Sequence, residues 1–573
     1  MKSTNRLILT VCAILAMNFA VYGYTDPAEK KIIYFGWSGP STAEDFLNMD
    51  IRELDAHCPF DGIGISPVFP IINRDGKTIL YTPTWAAGNP PVLAWENLQE
   101  LVPALRRLQG TRLKHNFIRA NSAMFNGNWF DDEIWKRTLN NYGLMVRLAK
   151  EAGFEGLCLD VEPYPYTKFP FKFRREYGHT FEETEAQVRK RGKEWIEEMN
   201  RQFPDLTLFT FFWTSRDTQH QAAHPEARKD ENDALLCAFF NGVYDGAPET
   251  MKIVDGQEAR GYYASTDMDY ERITANYHRY ADAWIDGSNR DKFRKITSMG
   301  ISLYLDSYVK KDKPTRFDHH NDNFPDLTTL LAHNVMNSLS HADEYVWLWC
   351  EHGTFWPNTV FSKYKKDDQT FKFWDERIPH CTAAIRFGRD WAKGIAPATG
   401  KNILRNGAMD PGEAGSTGGP DQKKSGINGW SSWQAGSSPK GSIIPENGSV
   451  RFVNVTDGNI SQTFETKAGR KYILTARCKN ESLFSTPQLG FFYRDKGGQG
   501  LWDFQEVNLF TEEEADGWTR STMLITVPDG LKITHLTVMV GVKGEQDPSG
   551  KDNGVLFDDA ALYAVEYSWE KKE

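Results

Sequence analysis

A change of rhythm near residue 395 constrains the fold of this chain more than any single motif. Before it, apolar strand-like runs alternate with helical stretches. The runs are Ile32–Trp37, Gly62–Phe69, Leu113–Asn121, Gly156–Glu162, Leu206–Trp213, Met251–Glu258, Ile296–Tyr304 and Tyr345–Glu351. Helical patterns intervene, among them Thr138–Ala152 (closed by Gly153), Phe181–Gln202 and Asp269–Arg290. Strands that alternate with helices build a parallel sheet, and eight such units predict a (β/α)8 TIM barrel over residues 24–395. Leu235–Tyr244 is an alternative sixth strand. Residues 394–430 are then rich in Gly, Pro, Ser and Asn. Beyond them Ser449–Asn454, Lys471–Asn480, Gln488–Arg494, Arg520–Thr526, Thr534–Val542 and Gly554–Tyr563 alternate with a period of two. Short strands spaced by turns predict a β-sandwich over residues 396–573.

Two cores also follow from length, since 573 residues exceed what one hydrophobic core serves. Aromatic residues make up 13% of the chain, with 18 Trp and 22 Tyr. That excess suits sugar clefts, because pyranose rings lay apolar C–H faces on aromatic faces, and it suits plain core packing equally well. A net charge of −10 argues against a nucleic-acid partner, which would want a basic stripe. The first residues carry Lys2 and Arg6, an apolar run from Leu7 to Val21, and Gly23 before Thr25-Asp26-Pro27. This is the layout of a signal peptide over residues 1–23, with a secreted or periplasmic product. The run is short and broken by Asn18, so no permanent membrane span is expected, and bulky Val11 before Cys12 argues against a lipid anchor. Cys58, Cys158, Cys237, Cys350, Cys381 and Cys478 show no metal-ligand spacing and read as buried thiols, with one disulfide left open.

The chemistry concentrates at strand ends. In Gly156–Glu162, Asp160 and Glu162 are two apart and share a face, just before Pro163. At the C-terminal mouth of a parallel barrel, where active sites sit, two such acids suit general acid work on a glycosidic bond. An ion-paired or helix-capping role is the alternative. On the eighth run Trp347, Trp349 and Glu351 share one face, which makes Trp349 a pocket floor and Glu351 a mouth acid. The sixth run ends in Asp255 and Glu258 around Gly256, followed by Tyr262. Trp37, Tyr164 and Tyr304 are further wall candidates, and Arg119 and Asn121 end the third run. His57, His115 and His352 stand alone without ligand spacing. No metal triad, glycine-rich phosphate loop or nucleophile elbow is present, so no catalytic cofactor is expected. The expected mechanism has Glu162 protonating the leaving oxygen, with its pKa lifted by the like charge of Asp160. Asp255, Glu258 or Glu351 acts opposite as nucleophile or base. The rival reading is a barrel that holds glycans without cleaving them.

Glu155-Gly156-Leu157-Cys158-Leu159-Asp160-Val161-Glu162 resembles the family 18 chitinase signature Asp-Gly-x-Asp-x-Asp-x-Glu in Gly156, Asp160 and Glu162. It departs from it at Glu155 and Cys158. The resemblance implies Glu162 as acid, Asp160 as orienter of a substrate N-acetyl group, and a strand-eight Trp, which Trp349 matches. The second part resembles the jelly-roll carbohydrate-binding modules of families 4, 9 and 22. The likeness lies in Asn402–Asp410, in Gly429-Trp430, and in the closing Val555–Tyr563. It implies a sugar platform drawn from Trp430, Trp433, Tyr493, Trp502 and Trp518. It also implies a structural calcium at Asp410 with Asp558 or Asp559.

Overall fold

The computed structural model describes residues 29–569 except 74, 84–90, 163–168, 215–226, 312–317, 320, 322–323, 357–371, 397–399, 412–422, 425, 437–440, 447, 515–516, 551 and 568. The leader and Tyr164 lie outside the described residues. Those described group into two compact units, the second made of the residues from Gly394 onward together with the segment Asn321–Pro325.

The first unit is the barrel. Its strands are β1 (Lys31–Gly36), β2 (Gly62–Ile65), β3 (Phe117–Asn121), β4 (Gly156–Asp160), β5 (Thr207–Thr210), β6 (Lys252–Asp255), β7 (Thr297–Met299 with Ile301–Tyr304) and β8 (Tyr345–Cys350). Every neighbouring pair is parallel. The ring closes because β7 divides at Gly300: Thr297–Met299 pairs with β6 and Ile301–Tyr304 with β8. A side chain at Gly300 would meet Tyr345 O and Val254 Cγ1 at 3.2 Å and Gly256 Cα at 3.3 Å, so the neighbouring strands pack closely on this position.

The helices are set by their ends. In α1 (Asp132–Ala152) the Asp131 carboxylate accepts from Glu133 N and Ile134 N, and Gly153 closes the helix at φ 76°. Thr180 and Glu183 form a capping box at the start of α2 (Phe181–Gln202). The alternative strand at Leu235–Tyr244 is instead α3 (Leu236–Gly246), buried along most of its length. A short, mostly apolar run carries no period that separates strand from buried helix. The pattern Asp269–Arg290 breaks after α5 (Asp267–Tyr280).

The barrel interior is filled with rings. Phe117, Phe209 and Tyr345 form the lower level, with centroids 5.3–6.0 Å apart. Above them Phe35 packs on Phe209, Phe211 and Trp347 at 5.3, 5.1 and 5.9 Å. Such pairs contribute about 0.5–1.5 kcal/mol each beyond area burial. At the floor, Glu155 accepts from His115 and Tyr345. Burial pushes its carboxyl up, but these hydrogen bonds outweigh it and hold the pKa below the ordinary glutamate value.

The second unit is a sandwich of two six-stranded antiparallel sheets. One sheet runs Lys423–Lys424, β9 (Ser431–Gln434), β12 (Asp457–Glu465), β17 (Ile533–Gly544), β14 (Ser485–Asp495), β15 (Gly500–Leu509). The other runs β10 (Ser442–Glu446), β11 (Ser449–Val453), β18 (Val555–Ala564), β13 (Lys471–Asn480), β16 (Thr519–Thr526), Glu512–Glu513. Trp430, Phe452, Leu474, Leu489, Val538, Phe557 and Leu562 fill the space between them. The six described cysteines are free thiols.

Candidate active site

The ladder stops short of the apolar runs, and this is what builds the mouth. Glu162, Phe211, Glu258 and Glu351 all lie just past the last ladder residue of their strands, on the C-terminal side of the barrel. The ladders end there and the chain turns at the C-terminal end of the barrel, where active sites of parallel barrels sit, with the Glu258 N–H still donating to Phe211 O at 3.0 Å.

Asp160 ends β4 with no exposed surface. Its Oδ2 accepts from Arg119 Nη2 at 3.1 Å, and its Oδ1 accepts from the Glu162 backbone N–H at 3.1 Å. Arg119, on β3, is itself buried, with its guanidinium carbon 4.5 Å from the Trp37 ring, 4.8 Å from Trp349 and 5.3 Å from Phe211. The expected field of Asp160 on Glu162 is therefore compensated at its source: the Arg119 cation sits on the carboxylate. Asp160 positions the backbone of Glu162 instead. Glu162 is partly exposed beside it.

Across the opening, Tyr262 OH donates to Glu258 Oε1 at 3.3 Å, and the Tyr262 ring packs against Trp347 and Tyr304 at 5.7 and 5.2 Å. Glu258 opens the short helix α4 (Glu258–Tyr263), and Gln257 before it adopts a left-handed conformation, φ 52°. Gly256 meets the β8 wall directly, its carbonyl accepting from Trp347 Nε1 at 2.7 Å. Cys158, two residues before Asp160, reports how these charges converge. Burial pushes its thiol well up; the Arg119 cation opposes this, and the Asp160 and Glu258 carboxylates add to it.

Glu351 accepts from Trp349 Nε1 at 3.0 Å, and its own N–H donates to Asp306 Oδ2 at 2.9 Å. Burial, followed by the Asp306 and Glu351 carboxylates, raises the Tyr304 hydroxyl well above its usual range. Trp37 packs edge-on against Trp349 at 5.1 Å. Trp37, Tyr262, Tyr304 and Trp349 thereby stand together with Glu258 and Glu351.

Asp255 does not join them. It is fully buried, and its carboxylate accepts from Trp213 N at 3.1 Å and from Thr214 Oγ1 at 3.4 Å. A carboxylate committed to backbone in this way fixes the turns after β5 and β6 rather than facing the opening. Tyr244 and Asp245 lie on α3: Asp245 pairs with Arg189 at 2.6 Å, and Tyr244 OH bonds Thr297 at the start of β7 and accepts from Trp213 Nε1. Sequence reasoning missed Phe211 and Asp306 and gave Arg119 no task. An arginine inside an apolar strand is the one signal that marked it, because such a charge needs a buried partner.

In the sandwich, Trp430 and Tyr493 are core residues: Trp430 Nε1 donates to Asn406 O and Tyr493 OH to Thr526 O. Trp518 stacks under Arg477 at 4.9 Å. Trp433 and Trp502 remain exposed, by 39% and 61%. Burial raises the Asp558 carboxyl, and the Asp559 and Asp410 charges add to this. Asp559 instead turns to Arg520, at 3.2 Å. Among the described residues no three Asp, Glu, His or Cys side chains cluster as metal ligands.

No family model matches the chain, and no curated protein sequence does. Among solved structures it is similar to a glucosidase from Croceicoccus marinus, with 10% identity over 80% of this chain and 87% of that one, TM-score 0.33. It is also similar to a CBM4 structure, with 17% identity over 28% of this chain and 99% of that one, TM-score 0.19. A third likeness is to the tailspike protein 4 of bacteriophage CBA120, with 13% identity over 24% of this chain, TM-score 0.19. The chain spans only a fifth of that tailspike, 20%. At these identities and TM-scores the likenesses decide neither chemistry nor substrate.

Proposed function

We propose that the barrel hydrolyses glycosidic bonds, with Glu162 as general acid and Glu258 as the carboxylate opposite. The observation that carries this reading is the meeting of acids and rings at one end of the barrel. Glu162 follows β4, Glu258 follows β6 with its N–H donating to Phe211 O, and Trp37, Tyr262, Tyr304 and Trp349 form the wall. A general acid needs a fixed backbone, which the Asp160 carboxylate provides through the Glu162 N–H. A nucleophile or base needs a donor to orient it, which Tyr262 OH provides for Glu258. The partly exposed rings of Trp37 and Tyr304 suit the apolar faces of pyranoses, and buried Tyr262 and Trp349 back them. A substrate-assisted variant, with Asp160 orienting an N-acetyl group, requires Asp160 to exchange its Arg119 bond for one to substrate. An exported enzyme acting on extracellular polysaccharide is consistent with the leader-like first 23 residues.

Purified full-length protein screened on a glycan panel tests this, with product anomers followed by NMR. Glu162→Gln and Glu258→Gln are each expected to lower turnover by roughly 10²–10⁴-fold while retaining substrate binding. Retention of configuration would place the two carboxyls about 5–5.5 Å apart in the complex, and inversion about 6.5–9.5 Å. Undiminished turnover in both variants would discard the assignment. One observation favours a second reading, a barrel that holds glycans without cleaving them: Arg119 occupies the acid that would tune Glu162. Binding without hydrolysis by the wild type across the panel would select it.

A further inference from the structure

The outer face of the sheet β9-β12-β17-β14-β15 carries a cleft of about 820 Å³. Strand register lays it out in rows. Trp433, Asn459, Gly541 and Gln488 stand opposite one another across four strands, and Ser461, Met539 and Gly490 form the next row. Glycine occupies the middle strands, and tryptophan the two flanking strands β9 and β15. A side chain at Gly541 would come within 2.4 Å of Gly458 O, so the floor stays low where the rims are high. Trp502 leans on Phe492 with centroids 4.4 Å apart and keeps most of its surface in solvent. A low polar floor between two exposed indoles fits a chain of pyranose rings, with amides such as Asn459 and Gln488 available to hydroxyls.

The charges in this cleft are unlike those of the chain as a whole. At one end Asp457 stands directly opposite Lys543 across β12 and β17, so these two offset each other. At the other end Arg494 stands opposite His535. Arg494 Nε donates to Thr537 Oγ1 at 3.0 Å and Nη1 to Gly498 O at 2.9 Å, and its guanidinium carbon lies 4.9 Å from the Phe492 ring. Its partners are a hydroxyl, a carbonyl and a ring, all neutral. Two donors anchor the guanidinium to its own sheet, which fixes its plane and costs little further ordering when an anion arrives. A protein of net charge −10 thus keeps a net positive cleft floored by a pre-oriented arginine.

We propose that this cleft binds an anionic polysaccharide, a chain of pyranoses bearing carboxylate or sulfate groups, with one anion seated on Arg494 and sugar faces on Trp433 and Trp502. The site is separate from the barrel mouth, and the proposal does not rest on the hydrolase reading. A guanidinium fork matches both carboxylate and sulfate oxygens, so either modification supplies the shared chemistry.

The test uses the full chain and matched probes that differ only in charge. Polygalacturonate is compared with its methyl ester, and dextran sulfate with dextran, by isothermal titration calorimetry at 0.15 M salt. At least one charged probe is expected to bind 10-fold or more tightly than its neutral mate. Arg494→Gln is expected to remove that difference, and Trp502→Ala to weaken the binding of that charged probe by 10-fold or more. Preference in the polygalacturonate arm alone names a uronate ligand, and in the dextran sulfate arm alone a sulfated one. Equal affinity for charged and neutral members in both arms overturns the proposal. A charged preference that survives Arg494→Gln overturns it too, because the anion is then held elsewhere. Trp502 is an exposed rim residue, so Trp502→Ala folds normally and keeps the test informative if Arg494→Gln loses the β14–β15 turn.

Discussion

The barrel mouth and the sandwich cleft use the same residue types in opposite states. At the mouth, Trp347 and Trp349 are buried in a ring stack, and Arg119 is closed over by three aromatic faces and paired to Asp160. In the cleft, Trp502 is 61% exposed and Arg494 has only neutral partners. The difference shows what an aromatic-rich composition leaves undecided. A tryptophan in a closed stack contributes stability and shape, whereas one on an open sheet leaves its face to a ligand. A buried arginine with a carboxylate is a fixed part; one held by neutral groups keeps its charge for a visitor.

The comparison breaks most visibly in activity. Glu162→Gln should lose roughly 10²–10⁴-fold in turnover, while Glu155→Gln, at the opposite end of β4, should change turnover little. Equal turnover in the two variants, measured on any glycan the wild type cleaves, removes Glu162 from the chemistry.

Stability should split the tryptophans. Trp349→Ala is expected to cost about 3–5 kcal/mol in denaturant unfolding of the barrel, and Trp502→Ala less than about 1 kcal/mol. Comparable losses would mean that the exposed rim is as structural as the stack.

The two arginines should separate in the same way. Arg119→Met strands a buried carboxylate and is expected to cost about 3–5 kcal/mol, with partial recovery in the Arg119→Met, Asp160→Asn double variant because the orphaned charge is gone. Arg494 has no carboxylate to strand, so Arg494→Gln has no such partner variant.

Two acids should respond to pH with opposite signs. Hydrogen bonds from His115 and Tyr345 outweigh burial and hold Glu155 below its usual pKa. Its contribution, about 1.5–3 kcal/mol for hydrogen bonds to a charged group, is present above the unfolded glutamate value. It is lost as pH falls through the lower folded one. Glu155→Gln should therefore destabilise at pH 7 and converge on wild type in acid. Asp558 is raised by burial and by the nearby Asp559 and Asp410, so its ionised form is disfavoured in the fold. Asp558→Asn should stabilise the sandwich at pH 7, by less than about 1 kcal/mol because water screens the site, and the gain should vanish as pH falls below the unfolded aspartate value. Calcium is proposed for the same place: if it binds Asp410 and Asp558, millimolar calcium raises the wild-type melting temperature and Asp410→Asn abolishes the rise.

Much of the fold was legible because its signals are local. A period of two in Tyr345–Glu351 and helix ends such as Thr180 with Glu183 are read from a few adjacent residues, and the strands and helices fall where these place them. Leu235–Tyr244 was ambiguous because burial on all sides erases the period. The strand Asp457–Glu465 carried only a weak alternation, since Gly458 and Gln462 stand beside Ile460 and Phe464 among its inward positions.

The element order, the alternation of a parallel barrel and then a sandwich, and the acids at the ends of β4, β6 and β8 are all legible in the chain. The partners of those acids are not. Asp160 meets an arginine 41 residues earlier in the chain, and Asp255 meets the turn after β5. Only the tertiary structure decided these partners and which tryptophans are core and which are rim, and it assembled the cleft from strands between residues 431 and 544. The physical reason is one of range. Backbone preference is settled within a turn or a strand, but burial and charge compensation depend on partners that register and packing bring together from distant parts of the chain.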